Sequence, residues 1–267
     1  MHSVQSIRPD PRLEPFIQWY VHREWQLGEG EIVEPVVARS GTMIEFQFDD
    51  PYYVLPNRLS RAVTIVGPMN SRKYTLVIRG HVEAFAVLFR PLGFFRLFGV
   101  PVSPLAGDGT EAHSVLGLQA SALYERMGNT PGFGDRVDLL NSFFLRRLRI
   151  SAPILPNGHA LRMLACSPQA TSVADMARLA GISQRQLERQ SLEYTGLSPK
   201  TLVKLARFQR ALRMKTTHNM SWMEVAHATN YHDQMHLIHD FHSLAGNTPN
   251  QIIQQITPDH LISFLCH

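Results

Sequence analysis

In residues 16–27, FIQWYVHREWQL, the apolar Ile17, Trp19, Val21, Trp25 and Leu27 alternate with Gln18, Tyr20, His22, Glu24 and Gln26. A period of two predicts a strand with one face buried, and Arg23 is the single charge on its apolar face. MIEFQFDDP repeats the pattern through Ile44, Phe46 and Phe48, then stops at an Asp-Asp-Pro turn. AVTIVGP, KYTLVIRG and EAFAVLFRP read as three more strands, each ended by Gly or Pro. Several short strands between turn signals predict a β domain built as a barrel or a sandwich, and a barrel-like one is expected. After Pro104 the period becomes helical. SVLGLQASALYERMGN and DRVDLLNSFFLRRLR are predicted helices, the second carrying Val137, Leu140, Phe144 and Leu148 on one stripe. ISAPILPNGHA, with two prolines, a glycine and little periodicity, is predicted to link two domains.

From residue 171 onward every element reads as helix. Ser172 with Asp175, Ser183 with Gln186, and Ser221 with Glu224 have capping-box spacing, while Ser198-Pro199 and Thr248-Pro249 pair an N-cap with a first-turn proline. The segment also repeats itself. At a shift of 49, Ser172 meets Ser221, Ala177 meets Ala226, Gly181 meets Asn230 and Ile182 meets Tyr231. One inserted residue later, Leu187 meets Leu237, Arg189 meets His239, Gly196 meets Gly246 and Ser198-Pro199 meets Thr248-Pro249. Each copy is a short helix, a turn at a residue that tolerates positive φ, and a second amphipathic helix, which is a helix-turn-helix unit. KTLVKLARFQRALRMKT between the copies is a continuous helix that spaces them.

This segment resembles the DNA-binding domain of AraC/XylS-type transcription regulators. The first copy of that pattern is carried by MARLAGISQRQLERQSLEYTGLSPKTLVKLARFQRAL and the second by VAHATNYHDQMHLIHDFHSLAGNTP. Asn230-Tyr231 stands where the family commonly has Gly-Phe, Met235 and Leu237 flank His236 in place of Ser and Phe, and His239 replaces an Arg. The resemblance implies that the second helix of each copy enters a major groove of double-stranded DNA. It implies readers Gln184, Arg185, Glu188 and Arg189 in the first copy, and Gln234, Met235, Ile238 and His239 in the second. Arg can read guanine, Gln adenine, and Glu cytosine N4, while the apolar Met235 and Ile238 suit thymine methyls. It further implies a small-molecule effector or a homodimer contact in the N-terminal half, and RNA polymerase as partner if the protein activates.

HDQMHLIHDFH, residues 232–242, raises a metal reading, since His232, His236 and His239 fall on one helical arc. Leu237, Phe241 and Leu244 mark the buried stripe of the same helix, and the repeat explains its length, so the segment is read as a DNA-reading helix with no metal. By the same resemblance His236 supports the fold and His239 faces the groove. Residues 160–256 hold ten Lys and Arg against six Asp and Glu, and every Lys and Arg precedes Thr216. The first copy and the linking helix are therefore expected to supply most of the phosphate attraction.

The whole chain, 267 residues with a net charge of +4, permits a polyanionic partner. Cys166 and Cys266 cannot build a disulfide framework or a four-cysteine site. The start, MHSVQSIRPDPRLEP, lacks an apolar signal core, and no run reaches the roughly 18 apolar residues of a membrane span; a cytoplasmic protein is expected. LVIRGHVEAFAVLFRPLGFFRLFG resembles the N-terminal modules of some AraC-type proteins, which end in F.P.G and a small helix. Trp19, Tyr20, Trp25, Phe46, Tyr52 and Tyr53 could line an effector pocket or serve as core. The 135–149 helix could pair with a twin or pack on its own barrel. No nucleophile, phosphate-loop or dinucleotide motif stands in a fitting context, so no enzyme and no cofactor is expected. The expected organisation is α+β. Residues 1–150 form a β-rich sensing or dimerisation domain, 151–159 a linker, 160–256 a double helix-turn-helix domain, and 257–267 a tail. A protein-binding helix-turn-helix module, or an enzyme with a DNA-binding tail, are the competing readings.

Overall fold

Two long strands, rather than a run of short ones, organise the N-terminal half of the computed structural model, which describes residues 2–55, 58–71, 74–105, 107, 109–150, 157–166, 172–218 and 220–255. The strands are β1 (His2–Ile7), β2 (Ile17–Pro35), β3 (Met43–Gln47), β4 (Tyr53–Leu55), β5 (Arg58–Leu59), β6 (Val63–Val66), β7 (Thr75–Phe89) and β8 (Thr110–Glu111). They form one antiparallel sheet in the order β1-β2-β7-β3-β6-β8, with β4 between β5 and the first residues of β7. KYTLVIRG and EAFAVLFRP, predicted as two strands, are one. Gly80 (φ +70°) bends β7 without ending it, and Gly28 (φ +59°) sits in the matching irregularity of β2. Pairing is regular from Trp19↔Leu88 to Gln26↔His81 and resumes from Glu31↔Arg79 to Pro35↔Thr75. A glycine inside a strand marks a bend as readily as a stop.

The one-sided strand expected at 16–27 is buried on both faces. A register shift between Ile17 and Trp19 changes the phase, so Ile17 and Tyr20 share a face. With Ile44, Phe46, Phe85, Val87 and Phe89 they form the main core. Val21, Ala86 and Leu88 lie on the opposite face, around which the sheet curls. The main core is covered by α1 (Gly93–Phe98), α2 (Ala112–Leu116), α3 (Leu118–Gly128) and α4 (Phe133–Ile150). The helix expected across 114–129 breaks at Gly117, whose φ of +63° and ψ of −148° are open to glycine. Val137, Leu140 and Phe144 of α4 are buried in this core, and Leu148 packs against it, so the apolar stripe is satisfied within its own half.

The C-terminal half holds α5 (Gly158–Cys166), α6 (Val173–Leu179), α7 (Gln184–Thr195), α8 (Pro199–Thr217), α9 (Trp222–Ala228), α10 (Gln234–Ala245) and α11 (Pro249–Gln255). Helix α5 begins inside the segment expected to be linker; residues 151–156 and the tail 257–267 lie outside the described residues. Full capping boxes form at Ser172–Asp175 and Ser221–Glu224, whereas Ser183 caps α7 without the return bond from Gln186. Leu202, Leu205, Phe208 and Leu212 of α8 pack with Val225, Tyr231, Leu237, Phe241 and Leu244 into a second core.

The halves are joined at both helix-turn-helix copies. Val102 donates its N–H to the Glu193 carbonyl (2.7 Å), and the Phe95 ring lies 4.4 Å from that of Tyr194. Ala38 donates to the Leu244 carbonyl (3.0 Å), and Val37 and Ala38 are buried in the second core.

Candidate nucleic-acid interface

The sequence repeat is also a repeat of geometry. Gly181 has φ +67° and Asn230 φ +58°, the left-handed turn that both positions were expected to supply. The next residue closes each turn in the same way: Ile182 N–H donates to the Ala177 carbonyl (3.0 Å), and Tyr231 N–H to the Ala226 carbonyl (2.9 Å). The second helices then start at Ser183, which accepts from Gln186 N–H, and at Asp233, which accepts from His236 N–H (2.7 Å). That bond and the His232 ring beside it hold the Asp233 carboxyl below its ordinary range. Charged caps suit the positive end of a helix, and Asp175 and Glu224 are lowered chiefly by the hydrogen bonds of Ser172 and Ser221.

Leu187 and Leu237 occupy matching places and are fully buried. Their burial turns the opposite side of each helix outward. Gln184, Arg185, Glu188 and Arg189 are exposed on α7; Gln234, Met235 and His239 are exposed on α10, where Ile238 is only half-buried. The structure thus gathers the eight residues into two groups, one on each second helix. The histidines of 232–242 scatter. His232 pairs with Asp233 (3.1 Å), His236 sets its ring edge-on to Tyr231 and reaches Arg207 (3.4 Å), and His239 is in solvent. No group of three His, Cys, Asp or Glu positioned for a metal occurs among the described residues.

One element of this region escapes a reading of the sequence. Asp240 is buried, and its carboxylate meets Arg207 Nη2 at 2.9 Å and Lys204 Nζ at 3.3 Å, both from α8. Two of the cations counted toward phosphate attraction therefore share one buried carboxylate, which offsets one of their two charges. The signal was an aspartate between Leu237 and Leu244 on the buried stripe, but its partners lie on another helix. The aromatic residues proposed for a pocket also separate. Tyr20 and Phe46 belong to the main core, Trp25 to a smaller one, Tyr53 is exposed, the Trp19 ring lies under Arg8, and only Tyr52 lines the cavity within the curled sheet.

Two helix-turn-helix units thus share one linking helix and are joined to a curled antiparallel sheet. Residues 176–255 match the family described as a helix-turn-helix domain, and residues 5–111 match a domain of unknown function, DUF6597. The chain thus carries an AraC-type helix-turn-helix domain. Its fold is similar to that of ToxT from Vibrio cholerae. One crystal form aligns with 96% of this chain and 99% of ToxT at 9% identity and a TM-score of 0.51. ToxT bound to (E)-4-(8-methylnaphthalen-1-yl)but-3-enoic acid aligns with 96% and 100% at 10% identity and a TM-score of 0.50. No curated protein matches this chain. Among the described residues no helix is long and apolar enough to cross a membrane.

Proposed function

We propose that this protein is a sequence-specific, effector-responsive transcription regulator whose helices α7 and α10 enter successive major grooves of double-stranded DNA. The observation that carries this reading is the paired outward face. Two helices, each positioned by the same turn and the same buried leucine, present Gln184, Arg185, Glu188 and Arg189 on one and Gln234, Met235, Ile238 and His239 on the other. Second helices of such units dock in the groove with their first residues on base edges. The face of α7 offers strong donors and acceptors, while α10 offers apolar contact and a histidine. Residues 1–150 serve sensing or dimerisation, and 160–256 serve DNA binding. That ToxT has been crystallised with a small organic acid supports an effector for this chain as well.

The test is enrichment of random and genomic DNA fragments on the purified full chain, followed by affinity measurement on the enriched site. Arg189→Ala is expected to lose about 1–3 kcal/mol of specific binding. Unchanged affinity would remove Arg189 from the interface, and no enrichment with or without cell extract would favour a helix-turn-helix module that binds protein.

A further inference from the structure

The two helix-turn-helix copies share a turn and a buried leucine but differ in the chemistry of their bases. Residues 171–216 hold nine Lys and Arg and no histidine, whereas residues 217–256 hold six histidines and neither Lys nor Arg. Against three carboxylates, Glu224, Asp233 and Asp240, the second stretch runs from −3 with neutral imidazoles to +3 with all six protonated.

The structure sorts these histidines by position. His239 and His242 are exposed on the side of α10 that carries Met235, and His232 is exposed beside the first turn of that helix. His236 turns inward instead, with Nε2 3.4 Å from Arg207 Nη2 and 4.0 Å from the Asp240 carboxylate, so its proton acts on the packing of α10 against α8. The charged groups around the unit are engaged. Asp240 is held by Lys204 and Arg207 of α8, Glu224 of α9 accepts from the Ser221 N–H, and Lys215 of α8 donates to the Met220 carbonyl. Asp233 accepts from the His236 N–H and meets the His232 ring at 3.1 Å. Among the described residues His239 and His242 meet no charged side chain.

The caps differ in the same sense. Helix α7 starts at the neutral Ser183, while α10 starts at Asp233, whose carboxyl is held below its ordinary range and is ionised at neutral pH. The end of α10 that would approach DNA therefore carries a negative charge, with the His232 ring placed to offset it. A phosphate is repelled by this surface while the imidazoles are neutral and attracted once they are charged. Imidazole ordinarily changes charge near pH 6.5, whereas guanidinium and ammonium groups stay charged well above it.

We propose that the second helix-turn-helix copy is a proton-dependent phosphate-binding surface, on which His232, His239 and His242 grip the DNA backbone when protonated and release it when neutral. The proposal rests on the DNA-reading function above and adds its regulation: the first copy holds DNA at either pH, and acidification recruits the second. Affinity thus rises as pH falls through the imidazole range.

The experiment enriches DNA fragments on the full chain at pH 6.0 and at pH 8.0, then measures affinity and its salt dependence on the enriched site at both. Binding is expected to be at least tenfold tighter at pH 6.0, with the slope of log K against log salt steeper by about 2, since each phosphate contact contributes about 0.9. A duplex shortened to the element read by α7 is expected to bind alike at both pH values. Joint replacement His232→Gln, His239→Gln and His242→Gln is expected to abolish the pH difference. Joint replacement of the same three by Lys is expected to bind at pH 8.0 at least tenfold tighter than the parent, a gain that a misfolded variant cannot give. Equal parent affinity at the two pH values, a difference that survives the glutamine replacements or persists on the shortened duplex, or no gain from lysine overturns the surface and leaves the DNA-reading function standing. No enrichment at either pH overturns both.

Discussion

Replacing Asp240 with asparagine keeps the shape of the side chain and removes the charge that binds α10 to α8. In the native protein the Asp240 side chain is 5% exposed, with Arg207 at 2.9 Å (18% exposed) and Lys204 at 3.3 Å (29% exposed). At an effective dielectric of about 20 each contact is worth roughly 5 kcal/mol before desolvation. Most of that is offset by the cost of removing three charges from water. Deleting one partner of a buried pair nevertheless costs about 3–5 kcal/mol, because the remaining charges are left buried and unpaired. The partial exposure of Lys204 and Arg207 places Asp240→Asn at the low end, about 3 kcal/mol. The loss should be local, since β7 and α4 belong to a different core. Amide hydrogen exchange followed by mass spectrometry resolves this. Peptides from α10 are expected to exchange roughly a hundredfold faster in Asp240→Asn, the equivalent of about 3 kcal/mol, with α4 unchanged. Exchange of α10 within threefold of the parent would refute the reasoning, as would equal acceleration in α4.

Other expectations follow from single groups. Glu83 sits between His22 (2.8 Å) and Arg136 (2.5 Å), and the His22 hydrogen bond, then Arg136, lowers its pKa from 4.5 to about 2. Because the folded value lies below the unfolded one, the stabilisation is complete above pH 4.5 and is lost as pH falls through about 2; Glu83→Gln should flatten that acid limb in urea melts, and an unaltered limb would count against it. A Cβ on Gly93 would lie 1.9 Å from the Phe16 carbonyl oxygen, whereas one on Gly134 meets nothing within 4 Å. Gly93→Ala is therefore expected to lose more than about 3 kcal/mol and Gly134→Ala to be near neutral, as compared by thermal unfolding; equal melting temperatures would show that the backbone can move aside. Salt titration of DNA binding separates the two copies. Arg185→Ala is expected to shallow the slope of log K against log salt by about 1 and His239→Ala by about 0, and equal changes would contradict the charge asymmetry.

What could be read from the chain was what is local. The caps at Ser172 and Ser221, the positive-φ turns at Gly181 and Asn230, and the leucines that set each second helix all act within a few residues, so spacing alone exposes them. Continuity of β7 was hidden because a glycine followed by polar residues reads as a stop, and only the paired bend in β2 shows Gly80 to be a hinge in one strand. The Asp240 network was hidden because its cations lie more than thirty residues away on α8. Arg23 stood out as the charge on an apolar face, and it does line the cavity. Arg39 lines it too and gave no such sign, since the 36–40 segment has no period and owes its place to contacts on two sides.

The central claim, that α7 and α10 read two successive major grooves, is tested most directly by methylation interference on an enriched DNA site. Methylation at guanine N7 lies in the major groove and blocks side chains there. Two clusters of interference about 10 base pairs apart are expected, the one lost in Arg189→Ala belonging to α7 and the one weakened in His239→Ala to α10. A single cluster, or interference unaffected by either substitution, would contradict the account.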